Sequence, residues 1–217
     1  MEKTGRGYFI TVEGVEGVGK STNIACVADK LRQAQIPFVM TREPGGTPMA
    51  EDIRQVLLQR REENVSEDAE LLLMFAARAQ HLFQVILPAL DDGCWVVCDR
   101  FTDATYAYQG GGRGIPMNKI ADLENWVQGD LRPDFTILLD ADVETGLKRA
   151  RQRADLDRFE QETMGFFERV RNTYLEMAAN NPERFRLIDA SQPLDAVQQD
   201  LSVVLDYMIN RFKAGRL

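Results

Sequence analysis

The residues Gly14-Val15-Glu16-Gly17-Val18-Gly19-Lys20-Ser21 constrain this chain more than any other segment. They follow an apolar run at 8–12 and precede a helical pattern carried by Thr22, Ile24, Ala25 and Val27. Between a strand and a helix, the spacing G-x-x-x-x-G-K-[ST] has a specific physical use. Its glycines let the backbone turn successive N–H groups inward, onto phosphate oxygens. Lys20 reaches the terminal phosphates, the Ser21 hydroxyl can ligate Mg²⁺, and the following helix points its positive end at the anion. Gly14, Val15, Glu16, Gly17, Val18, Gly19, Lys20, Ser21 and Thr22 are therefore the candidate residues for a purine nucleoside triphosphate.

The rest of the chain alternates short β-branched and aromatic runs with longer helical patterns. Five strands are expected at 8–12, 38–41, 95–98, 135–139 and 185–188. Each is apolar almost throughout, as parallel strands covered on both faces must be. Helices are expected at about 20–34, 48–60, 67–90, 117–128, 143–154, 158–180 and 194–212. Ser66 followed by Glu67 and Asp68 starts the third of these, and Pro88 ends or kinks it. The alternation predicts an α/β sheet wound with helices. The Gly-rich stretch at 109–114 reads as a loop. With no repeat, low-complexity tract or Pro/Ser linker, residues 1–217 are expected to form one domain.

Composition narrows the function. The 217 residues hold 34 acids against 26 Lys and Arg, a formal net charge of −8. A general nucleic-acid binder carries the opposite balance, so no nucleic-acid partner is expected. The three cysteines, Cys26, Cys94 and Cys98, and the single histidine, His81, make neither a disulfide framework nor a zinc set. They point to a reducing, cytoplasmic compartment. The polar N-terminus has no signal-peptide pattern, and no apolar run approaching the roughly 18 residues of a membrane span is expected, hence no membrane partner.

Other residues carry acceptor-side chemistry. Asp99-Arg100 closes the third strand at the carboxyl edge, where α/β ligands bind. Asp99 can hold Mg²⁺ or its water, and Arg100 can bridge donor and acceptor phosphates. Arg78 lies on one helix face with Leu71, Phe75, Leu82 and Val85, so its guanidinium needs an internal carboxylate, a snorkelling path or a hydrogen-bonding base. Arg42-Glu43-Pro44-Gly45-Gly46-Thr47 follows the second strand, again at the carboxyl edge. Lys148, Arg149, Arg151, Arg153 and Arg158 form either a solvated basic face or an arginine-bearing flap over 148–160.

The glycine loop alone leaves a GTPase, an ATPase and a small-molecule kinase open. A GTPase needs N-K-x-D after a strand. Asn118-Lys119-Ile120-Ala121-Asp122 puts the acid one residue late and lies in a helical pattern.

Four segments in order decide among these: Thr41-Arg42-Glu43-Pro44-Gly45-Gly46-Thr47, Asp99-Arg100-Phe101, Ala107-Tyr108-Gln109-Gly110-Gly111 and Leu156-Asp157-Arg158-Phe159-Glu160. With them the chain resembles the bacterial thymidylate kinases, a family of nucleoside monophosphate kinases, from about Tyr8 to about Tyr207. The resemblance implies a three-layer P-loop NTPase-like fold with a five-stranded parallel sheet flanked by helices. It also implies an ATP- and Mg²⁺-dependent conversion of dTMP to dTDP, with ATP and dTMP as ligands, and a homodimer. Residue by residue, it implies that Arg78, Thr105 and Gln109 fix the base and that Tyr108 crowds the 2′ position. By the same resemblance Glu43, Pro44, Arg54 and Arg100 would lie around the acceptor sugar and phosphate, and Asp157 and Glu160 near the acceptor. Lys20, Arg100 and the flap arginines Arg149, Arg151 and Arg153 would be catalytic, with Ser21 and Asp99 at the metal. Relatives commonly place a stacking aromatic four residues before the base-reading arginine. Here that position is Met74, so Phe75 is assigned the role.

Overall fold

The computed structural model describes residues 5–151, 158–159 and 162–215. Five strands form one parallel sheet in the order β2-β3-β1-β4-β5. They are β1 (Phe9–Glu13), β2 (Phe38–Arg42), β3 (Trp95–Asp99), β4 (Phe135–Asp140) and β5 (Phe185–Asp189). Each coincides with an expected strand, begins at most one residue later and continues one residue further. The added residues are polar or charged: Glu13, Arg42, Asp99, Asp140 and Asp189. A polar side chain at a strand's carboxyl end still pairs its backbone, so the ladder outlasts the apolar run.

The central strands alternate as a pleated sheet must. Ile10, Val12, Trp95 and Val97 face a core shared with Val27 and Leu31 of α1 (Lys20–Gln33) and with Leu201, Leu205 and Met208 of α9 (Leu194–Ala214). Phe9, Val96 and Cys98 face the opposite side, against Leu82, Ile86 and Leu90. Helices on both faces of a parallel sheet are the three-layer architecture expected.

The helix over 67–90 is interrupted. After α2 (Pro48–Leu58), α3 (Glu67–His81) runs into a π-helical turn, Leu82–Ile86, and resumes as α4 (Leu87–Asp91). Pro88 lacks the N–H that would bond four residues back, and the wider turn precedes it. By length and composition, Glu67–Asp91 is long and apolar enough to cross a membrane, contrary to expectation. Within it Glu70, Arg78 and His81 are buried, and it packs against α2 and α6 (Met117–Gln128).

Of the stretch at 109–114, expected as a loop, residues 109–112 are helical and only 113–114 leave the helix. A short helix α5 (Thr102–Thr105) passes into a π-helical segment, Tyr106–Gly112, that packs on α8 (Met164–Asn180). Its glycines serve close approach. A Cβ at Gly111 would stand 2.0 Å from Thr173 Oγ1, and one at Gly112 2.4 Å from Phe166 Cε2. α8 also starts later than the expected 158, where the Thr163 side chain accepts from the Phe166 N–H. α7 (Val143–Arg151) is described to Arg151, and the remainder of the expected helix to 154 lies outside the described residues.

Candidate active site

β1 delivers the chain to Gly14, and α1 begins at Lys20 with Gly19 as its cap. Between them Gly17 has φ +75°, and a Cβ there would lie 1.7 Å from the Gly146 carbonyl oxygen of α7. The loop is thus pressed onto α7 in a shape only glycine allows. Lys20 Nζ arches back over it, donating to the carbonyls of Gly14 and Val15, both at 2.9 Å. Burial and the nearby Arg100 charge lower the Lys20 ammonium to about 8.

Arg100 faces that loop from the end of β3. Its φ of +66° is left-handed. Nη2 donates to Glu16 Oε1 at 2.9 Å, Nη1 to the Tyr174 hydroxyl at 3.3 Å, and the guanidinium lies 4.7 Å above the Tyr108 ring. The Tyr108 hydroxyl donates to the other Glu16 oxygen. Burial raises the Glu16 carboxyl, but the charges of Arg100 and Lys20 outweigh it, so the net direction is down. Next to Arg100, Asp99 Oδ1 is buried with no hydrogen-bond partner among the described residues, and Ser21 opens onto the same cleft.

The second half of the cleft is built around Arg78 of α3. Its Nε donates to Glu43 Oε2 at 2.7 Å and its Nη2 to Thr105 Oγ1 at 2.9 Å, both fully buried contacts. Nη1 is buried without a partner among the described residues. Glu43 Oε1 lies 3.0 Å from His81 Nδ1, and His81 Nε2 lies 2.6 Å from Thr41 Oγ1. Of the partners left open for Arg78, the structure supplies the internal carboxylate, Glu43, for one of its three nitrogens. Sequence reasoning gave His81 no role, although it falls three residues after Arg78 on the same helix.

One cleft of about 290 Å³ joins both halves. It brings together Lys20, Ser21, Glu16, Asp99 and Arg100 with Glu43, Pro44, Arg54, Arg78, Thr105, Tyr108 and Gln109. Arg54 Nη1 donates to the Pro44 carbonyl at 2.9 Å, and Gln109 Nε2 to Glu70 Oε1 at 2.9 Å. Phe75 is not on the cleft wall. Helix register turns it inward among Leu71, Ile115 and Ile120, with the Arg78 guanidinium 4.7 Å above its ring. Met74 faces the cleft instead, with Arg42, Leu58, Phe101, Ala104 and Phe159. Arg149 is likewise off the cleft wall and donates to the Ala190 carbonyl at 3.2 Å. The Arg151 side chain and Arg153, Asp157 and Glu160 lie outside the described residues.

Behind the wall, Glu13 accepts from the Phe101 N–H and the Tyr174 hydroxyl, each at 2.7 Å. Burial, with Asp103 adding, pushes its carboxyl up to about 8. Sequence reasoning missed Glu13, because an acid just past an apolar run, here the last residue of β1, has no signature of its own.

A parallel sheet with this glycine loop after its central strand, and an arginine-lined cleft beyond it, defines a P-loop phosphotransferase. Residues 12–201 match the family model described as thymidylate kinase. The chain belongs to the thymidylate kinase family. It is 59% identical to a thymidylate kinase of Pseudomonas entomophila over 205 residues, covering 94% of this chain and 98% of the other. A Teredinibacter turnerae thymidylate kinase is 60% identical over 200 residues, covering 92% and 98%. The crystal structure of thymidylate kinase from Ehrlichia chaffeensis superposes with a TM-score of 0.75 at 33% identity, covering 93% of this chain and 99% of that one.

Proposed function

We propose that this chain transfers the γ-phosphoryl group of ATP to a phosphate oxygen of dTMP, giving dTDP and ADP. The observation that carries the reading is the unpaired Arg78 Nη1, on a guanidinium whose other nitrogens are held, in the cleft that Lys20 and Arg100 also line. A pyrimidine carbonyl satisfies such a donor, and the phosphates lie toward the loop. Tyr108, against Glu16 and Arg100, would bound the sugar and disfavour a 2′-hydroxyl. Met74 on the wall offers the apolar contact first assigned to Phe75. Glu43 orients Arg78, Arg54 steadies the Glu43-Pro44 turn, and Thr105 and Gln109 close the base end.

The acceptor phosphate is already anionic at neutral pH, so no strong general base is required. Catalysis is positioning and charge stabilisation in line, by Lys20, the loop N–H groups and Arg100. Ser21 and Asp99 fit Mg²⁺: a hydroxyl and a buried carboxylate oxygen without a partner are hard-cation donors. Bound with ATP, the ion would neutralise charge on the β- and γ-phosphates. The flap over 148–160, with Arg149, Arg151 and Arg153, is proposed to supply further positive charge, and Asp157 and Glu160 to lie near the acceptor. One domain over 1–217 is proposed around this site.

We also propose a cytoplasmic homodimer without nucleic-acid or membrane partners. The free cysteines suit a reducing interior. Leu72 of α3, Phe83 beyond it and Trp126 of α6 are 56%, 76% and 82% exposed, on helices that touch one another, as an unpaired apolar interface would be.

A coupled ADP-release assay with ATP·Mg²⁺ and dTMP, dUMP, UMP, dCMP, AMP, GMP or thymidine tests the reaction. Turnover strongly favouring dTMP is expected. ATP binding without turnover on any acceptor would overturn it in favour of a nucleotide-binding regulator.

A further inference from the structure

Glu70 of α3 is 1% exposed. Its Oε1 accepts from Gln109 Nε2 at 2.9 Å, and its Oε2 from Arg158 Nη2 at 2.6 Å. The Arg113 guanidinium completes the surround, with Nε 3.4 Å from Oε1. Both guanidiniums pair with the Glu70 carboxylate, and a carboxylate only accepts hydrogen bonds. That matters for its amide neighbour. A glutamine side chain has nearly the same shape with its two ends exchanged, so packing alone does not decide which end faces a ligand. Glu70 decides it for Gln109: Nε2 must turn toward the carboxylate, which leaves the carbonyl oxygen to the cleft that Gln109 lines beside Arg78.

We propose that Glu70 is a specificity-determining positioning residue, holding Gln109 as an acceptor next to the Arg78 donor. This rests on the dTMP reading above. An acceptor beside a donor matches the N3–H and O4 of thymine, whereas cytosine presents the reverse at both atoms. Without Glu70 the Gln109 amide is free to present either end, and the pairing with N3–H is held only part of the time.

The test is steady-state kinetics with dTMP and with 5-methyl-dCMP, which keeps the methyl group and reverses the base edge. Glu70→Gln is expected to raise KM for dTMP about tenfold, the cost of one imperfect hydrogen bond, with kcat and the ATP KM within about twofold. The preference for dTMP over 5-methyl-dCMP narrows by a similar factor, since Arg78 still donates. In a Gln109→Ala background the same change at Glu70 should alter KM less than about twofold, because the effect passes through Gln109. Glu70→Asp keeps acceptor-only chemistry and should retain the base preference even if affinity falls.

An unchanged preference in Glu70→Gln, an undiminished effect in the Gln109→Ala background, or loss of preference in Glu70→Asp overturns the inference. If Glu70→Gln is not recovered folded, Glu70→Asp alone decides. Failure of the unmutated chain to phosphorylate dTMP overturns the function itself, which separates the two.

Discussion

Arg100 and Glu16 meet at 2.9 Å across the mouth of the phosphate loop, a guanidinium from the end of β3 against a carboxylate from the loop itself. The pair holds Arg100 beside the phosphate loop and, with Tyr108 and Tyr174, outweighs the effect of burial on its charge, so the transferred group is expected to pass there. An arginine that stabilises transition-state charge contributes on the order of 10³-fold or more to kcat. Arg100→Ala should therefore lose about that factor in kcat with ATP affinity nearly kept. Arg100→Lys should recover little, because an ammonium cannot span Glu16, Tyr174 and a phosphate as a planar fork does. Single-turnover rates of the variants check both.

Glu43 and Arg78 make a different contact, buried on both sides at 2.7 Å. Removing one partner of such a pair strands the other charge, at about 3–5 kcal/mol. Glu43→Ala should lower stability by roughly that amount. It should also raise KM for dTMP, since Arg78 is no longer aimed, while ATP affinity changes little. Urea unfolding and nucleotide titrations read the two effects separately. Loss of stability without any change in dTMP binding would show that Glu43 only neutralises Arg78.

What was legible in the sequence follows from the range of the interactions. Strands were readable because a parallel strand must be apolar on both faces, and the loop because its glycines obey a local rule. The π-helical segment Tyr106–Gly112 was not, since its glycines answer to Thr173 and Phe166, which lie far away along the chain. The same holds for Phe75 and Met74: they are neighbours on one helix, and only packing against Ile115 and Ile120 decides which faces the cleft. Arg78 was conspicuous as a charge in an apolar stripe. Its partners Glu43 and Thr105 come from two other segments, and nothing local sets Glu70 apart from Glu67 and Asp68 in the same first turn.

Lys20 should give ATP binding a pH dependence. In the free protein its ammonium titrates near 8, below the ordinary 10.5, because burial and Arg100 disfavour the charge. A polyphosphate requires that charge, so ATP affinity should weaken as pH rises above about 8, by up to about tenfold per pH unit. For stability, the unfolded chain binds the extra proton between about 8 and 10.5, so the contribution of Lys20 rises with pH across that window. Calorimetric titration of ATP at pH 7 and pH 9 (about one unit either side) tests the first statement. Lys20→Met should bind weakly and without the pH dependence.

Glu13 gives the opposite sign. Burial and Asp103 raise its carboxyl from 4.5 to about 8, so the folded protein holds a proton that the unfolded chain releases in this range. Its contribution is fully present below about 4.5 and is lost as pH rises through about 8. The magnitude is on the order of a few kcal/mol, since each tenfold gain in proton affinity is worth about 1.4 kcal/mol. Glu13→Gln keeps the shape and removes the titration: one amide end still accepts from the Phe101 N–H, while the Tyr174 hydroxyl turns to accept from the other. The variant's urea midpoint should then be nearly flat between about pH 5 and pH 8, where the unmutated protein declines. Equal declines in the two proteins would place the titrating group elsewhere. Because Tyr174 also contacts Arg100, the variant should in addition show a reduced kcat with KM for both nucleotides nearly unchanged.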